Sequence, residues 1–126
     1  MKFSRLGRSG LDVSRVCLGT MTWGKQNGQA EADEQIEHAL SDGINFFDTA
    51  EMYAVPPTPE TYGKTEEIIG HWLARNPSRR DEMIIASKIA GIGLPWVRNG
   101  GPITGQAVIE AVDNSLKRLQ TDYIDL

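Results

Sequence analysis

Two apolar runs of strand-forming residues, Ile44-Asn45-Phe46-Phe47 and Met83-Ile84-Ile85-Ala86, each finish in polar residues, and a helical pattern lies between them. Strand, helix, strand is the order of a crossover unit, which sets the two strands parallel in one helix-covered sheet. The polar exits are Asp48-Thr49-Ala50-Glu51-Met52-Tyr53 and Ser87-Lys88. Barrel and open α/β enzymes keep their chemistry at such strand ends. A lysine has little reason to follow three apolar residues and an alanine into a core, so the two exits point to one shared site.

The remaining pattern extends the same alternation. Segments 2–7 and 11–16 flank Arg8-Ser9-Gly10, a three-residue turn with glycine where positive φ is often needed, and read as a hairpin. Val16-Cys17-Leu18-Gly19 reads as a buried strand, with Cys17 as a small buried hydrophobe, and Gly19-Thr20-Met21 opens a loop. The first helix is expected from about Ala32 to Asp42, with Ala32, Ile36, Ala39 and Leu40 on one face and Gly43 as its stop. Pro56, Pro57 and Pro59 make the next segment a surface loop. Thr65 can cap a second helix whose buried stripe is Ile68, Ile69, Trp72 and Leu73, ending at Asn76-Pro77. A glycine-rich loop follows Lys88, and Thr104 opens a third helix with Val108, Val112, Leu116 and Leu119 near the helical period. Glu34 to Glu37 and Lys117-Arg118 read as solvated helix faces. Thr121 to Leu126 has the look of a fourth strand beginning.

Composition limits the function classes. A formal net charge of −4 over 126 residues gives no basic field for nucleic acid or an anionic membrane. One cysteine allows no intrachain disulfide, no segment approaches a membrane span, and the N-terminus lacks an apolar signal region, so the chain reads as cytoplasmic. Oligomeric state is not legible, and no metal site is assigned.

Leu6-Gly7 with Ser9-Gly10-Leu11, Leu18-Gly19-Thr20-Met21, the stretch Gly43 to Tyr53, Ser87-Lys88, Ser115 to Leu119 and Asp122 to Leu126 together resemble the aldo-keto reductase family. The loop from Tyr53 to Thr61, leading to Thr65-Glu66, is similar to its Tas-like branch. The resemblance implies an α/β fold, the N-terminal half of a (β/α)8 TIM barrel preceded by a short β-hairpin. Residues 1–126 would then be the N-terminal part of a single barrel domain, truncated after the fourth strand begins and inactive alone. It also implies reduction of small-molecule aldehydes or ketones with a nicotinamide cofactor, usually NADPH (NADP). By position, Asp48, Tyr53 and Lys88 match three members of the family's tetrad. The fourth, a histidine after the fourth strand, has no counterpart, since His38 and His71 fall in the helical patterns. Thr20, Met21, Gln26 and Asp48 match the nicotinamide side, whereas the phosphate contacts of the family lie in a part of the barrel beyond this sequence. No glycine-rich dinucleotide fingerprint occurs, which agrees with a barrel rather than a Rossmann domain.

The residue types suit that chemistry. Hydride delivered to a carbonyl carbon leaves negative charge on oxygen, which needs a proton donor and electrostatic stabilisation. A phenol is a reluctant acid near neutrality, and an adjacent ammonium makes its proton easier to give. This casts Tyr53 as general acid, Lys88 as its activator and Asp48 as the lysine's anchor. Structural roles stay open beside these: Asp48 as a loop cap, Lys88 in solvent, Tyr53 as a surface aromatic, Trp96 as a loop anchor rather than a pocket wall, and Met21, Trp23 and Met52 as packing. Two other functions are also open, a non-catalytic NADP-binding or regulatory subunit and a Schiff-base barrel lyase using Lys88.

Overall fold

The computed structural model describes residues 1–126. Strands β1 (Phe3–Arg5) and β2 (Asp12–Ser14) pair antiparallel around the Arg8-Ser9-Gly10 turn, where Gly10 takes φ +85°. This is the expected hairpin. A separate sheet holds β3 (Cys17–Gly19), β4 (Phe46–Asp48) and β5 (Ile84–Ala86), parallel and in that order, with Gly19, Asp48 and Ala86 in register at its carboxyl edge. Helix α1 (Gln29–Ser41) links β3 to β4, and α2 (Lys64–Arg75) with a 3-10 turn at Pro77–Glu82 links β4 to β5. Helix α3 (Gly105–Leu119) follows β5.

Alternation along each strand sends successive side chains to opposite faces. One set, Leu18, Phe47 and Ile85, packs under the helices with Ile36 of α1, Ile68, Ile69, Trp72 and Leu73 of α2, and Leu119 of α3. Fully burying side chains of this size stabilises by roughly 1.5–3 kcal/mol each, which makes this layer the main source of stability. The other set, Cys17, Phe46, Asp48, Ile84 and Ala86, lines the concave face of an open, unclosed sheet. Cys17 is therefore exposed, not the small buried hydrophobe the apolar run implies. It lies on the edge strand β3, on the face no helix covers.

Helix boundaries show where local signals mislead. Helix α1 starts at Gln29, three residues before the apolar pattern, because the Glu31 carboxylate in its first turn reaches back and accepts the N–H of the N-cap Gly28. Thr65 does not cap α2. Gly63 does so at φ +80°, while the Thr65 hydroxyl is buried and donates to the Trp23 carbonyl at 2.7 Å. Thr104 caps α3 as expected, accepting the Ala107 N–H. The face that α3 buries is Ala107, Ala111, Ser115 and Leu119, whereas Val108 and Val112 stay exposed. Small residues win there because the helices approach closely: a Cβ on Gly70 of α2 would lie 2.0 Å from the Arg118 carbonyl oxygen. Arg118 is no solvated cation either, since its Nε donates to the fully buried Glu66 at 2.7 Å. Glu37 stays exposed, as expected of a solvated face, while accepting from Trp72 Nε1 and from Arg79.

The last residues run beside β5 without forming a regular strand. Asp125 and Leu126 N–H groups donate to the Ile85 carbonyl, and Ser87 N–H to the Leu126 carbonyl. Arg80 pins this segment through Asp125 Oδ2 at 2.8 Å and lies 3.8 Å from the Tyr123 ring centroid. His38 and His71 are exposed on α1 and α2.

Candidate active site

Asp48 is the last residue of β4, and its register with Gly19 and Ala86 puts it at the carboxyl edge on the concave face. Backbone pairing continues past the strands: Thr20 and Thr49 N–H groups donate to the Asp48 and Ala86 carbonyls, and Glu51 N–H to the Lys88 carbonyl at 3.0 Å. The two polar exits are thereby zipped side by side. Lys88 Nζ donates to Asp48 Oδ1 at 2.8 Å and to the Thr49 carbonyl at 2.6 Å, and it stands 4.8 Å from the centroid of the Tyr53 ring. Asp48, Tyr53 and Lys88, far apart in sequence, form one cluster. The half-exposed Tyr53 hydroxyl makes no hydrogen bond within this group, which leaves it free to donate outward.

Thr20 is buried behind the cluster, its hydroxyl donating to the Asp48 carbonyl at 2.7 Å. Met21 is exposed at the mouth, and its carbonyl accepts the Val55 N–H, tying the loop after β3 to the loop after Tyr53. Gln26 is not brought to the cluster. It is exposed in the turn after β3, its N–H bonded to the Thr22 carbonyl. Trp23 is core, 1% exposed, with Nε1 donating to Gln35, and Trp96 sits at the surface of the loop after β5.

Sequence reasoning missed Glu51 and Arg98. Glu51 is 1% exposed, accepts the Ala90 N–H at 2.8 Å and forms a two-pronged ion pair with Arg98. Burial raises its pKa, but the hydrogen bonds from Arg98 and Ala90 and the charges of Arg98 and Arg118 outweigh it, holding the carboxyl below the usual range. A signal did exist: Arg98 is the single basic residue between Lys88 and Lys117, and a carboxylate within a strand exit needs a cation. Cys17, on the same concave face, has its thiol pushed up by burial and then by the Asp48 carboxylate, with Lys88 opposing.

A parallel sheet under helices, with acid–base side chains gathered at the carboxyl ends of neighbouring strands, is the arrangement of the (β/α)8 barrel enzymes. The sequence pattern of the Aldo/keto reductase family matches residues 15–126, and the chain belongs to that family. It is 47% identical to Protein tas of Escherichia coli (strain K12) and 40% identical to the uncharacterized oxidoreductase YrpG of Bacillus subtilis (strain 168), in each case over 100% of this chain. The chain spans 37% and 39% of the lengths of those relatives. A solved Pseudomonas aeruginosa structure described as an aldo-keto reductase superposes with a TM-score of 0.74 at 30% identity, covering 97% of this chain and 43% of that one. The fold is accordingly part of a TIM barrel, its N-terminal half, and the family is one of oxidoreductases.

Proposed function

We propose that this chain supplies the acid–base side of an NADPH-dependent reduction of small aldehydes or ketones to alcohols. The observation that carries the reading is the Asp48–Lys88 ion pair set against the Tyr53 ring, with the phenol hydroxyl unengaged. The donor set fits a nicotinamide: Met21 offers an apolar surface at the mouth, and Thr20 fixes the Asp48 backbone beside it. A bound reduced nicotinamide supplies the hydride that goes to the carbonyl carbon. Tyr53 Oη would donate its proton to the carbonyl oxygen as charge develops there. Lys88 stabilises the phenolate left behind, and Asp48 and the Thr49 carbonyl hold the ammonium in place. Those two acceptors also set Lys88 against a Schiff-base role, which needs a free, neutral amine. No helix is long and apolar enough to cross a membrane.

The test is Tyr53→Phe in a polypeptide carrying this chain together with the further barrel length of its relatives. Turnover of an aldehyde panel, followed by loss of NADPH absorbance, is expected to fall about 10²- to 10⁴-fold. Wild-type rates in the variant would remove Tyr53 as the acid, and NADPH binding without any turnover would favour a regulatory subunit.

A further inference from the structure

We infer that Glu51, together with Arg98, is a positioning residue for Lys88 and Tyr53; this rests on the reductase reading above. Glu51 lies between Asp48 and Tyr53 in sequence and touches the backbone at Lys88 and just beyond it. Its N–H donates to the Lys88 carbonyl at 3.0 Å, and its Oε2 accepts the N–H of Ala90, two residues on, at 2.8 Å. Arg98 completes the clasp from the far end of the loop, with Nη1 on Oε1 and Nη2 on Oε2, while Nη2 also reaches the Ala90 carbonyl at 3.4 Å. One buried carboxylate thus fixes the course of the chain leaving Lys88 relative to the segment that carries Tyr53.

The backbone at Arg98 supports a placed side chain. Arg98 and Asn99 take φ values of 47° and 56°, a region that residues with a Cβ seldom enter unless their surroundings enforce it. The turn aims the guanidinium inward, where it is largely buried. Desolvation cancels much of the attraction in such a buried pair, so net stability is a poor account of it, whereas geometry is a good one.

The experiment compares Glu51→Gln, Arg98→Met and the double variant in the same barrel-length polypeptide, with Tyr53→Phe in parallel, measuring kcat, KM for NADPH and the melting temperature. Each single variant leaves a buried group unpaired and is expected to lower both melting temperature and kcat. The double variant removes the uncompensated charge, so its melting temperature should return toward wild type. Its kcat should nevertheless stay about tenfold or more below wild type at unchanged KM, because a small displacement of catalytic groups is costly in rate. Recovery of kcat along with melting temperature would overturn the inference. Should the double variant not fold, Arg98→Lys keeps the charge and loses the fork: a kcat reduced about threefold or more at constant KM supports the inference, and an unchanged kcat overturns it. A wild type without turnover, or a fully active Tyr53→Phe, brings down the reductase reading and this inference with it. An inactive Tyr53→Phe beside a fully active double variant brings down the inference alone.

Discussion

Asp48 and Lys88 make an ion pair that the fold does not depend on. Their side chains are 39% and 46% exposed, and pairs in that situation contribute about 0–1 kcal/mol. Asp48→Asn is therefore expected to shift the urea midpoint of this chain only slightly, while in a barrel-length protein it should cut carbonyl turnover by about 10²-fold or more; a large loss of stability would make Asp48 a structural residue instead. Glu51 is buried instead, so its protonation is coupled to folding. Its carboxyl titrates lower in the fold than its unfolded value of about 4.3. The stabilisation it brings is therefore full above that value and is lost as pH falls through the lower, folded one. Thermal unfolding should show a loss of stability below about pH 4 that is smaller in Glu51→Gln, and equal losses would exclude Glu51 as the source. Asp48 and Lys88 were legible in the sequence because polar residues ending apolar runs are conspicuous. Glu51 was not, because its burial is decided by Arg98, 47 positions along the chain.

Helix positions were legible from periodicity, but which face is buried was not always. The stripe of α2 reads correctly because Ile68, Ile69, Trp72 and Leu73 cover a sheet. In α3 the branched residues point away and alanines and a serine pack inward, a choice set by the proximity of Gly70 to the Arg118 backbone. Gly70→Ala tests this directly. Alanine is favoured over glycine within a helix by about 1 kcal/mol. A Cβ 2.0 Å from a backbone oxygen instead forces α2 and α3 apart, with overpacking costs of about 1–3 kcal/mol, so a net loss of stability in urea unfolding is expected. A gain would mean that the two helices do not approach as closely as described.

For the whole chain, the concave face is the feature that matters. Helices shield Phe47 and Ile85, but Cys17 is only partly desolvated and remains exposed, and Val16 beside it is 50% exposed. The 126 residues alone are expected to turn over no carbonyl at a measurable rate, since the site stands open to water along that face. Their Cys17 thiol should react with a maleimide, more slowly than free cysteine because its pKa is raised, and should be protected in a barrel-length polypeptide. Equal labelling in the two proteins would show that the face stays open in both. The ion pairs that clasp the fold have a different consequence, for synthesis. Glu51 meets Arg98, Glu66 meets Arg118, and Arg80 meets Asp125, each across more than forty residues. On a ribosome one member of each pair emerges long before the other, and a charge without its partner is held in water. The segments that carry Glu51 and Glu66 can therefore settle fully only once their arginines, the later of them residue 118, have been made, which makes assembly of the candidate site a late event.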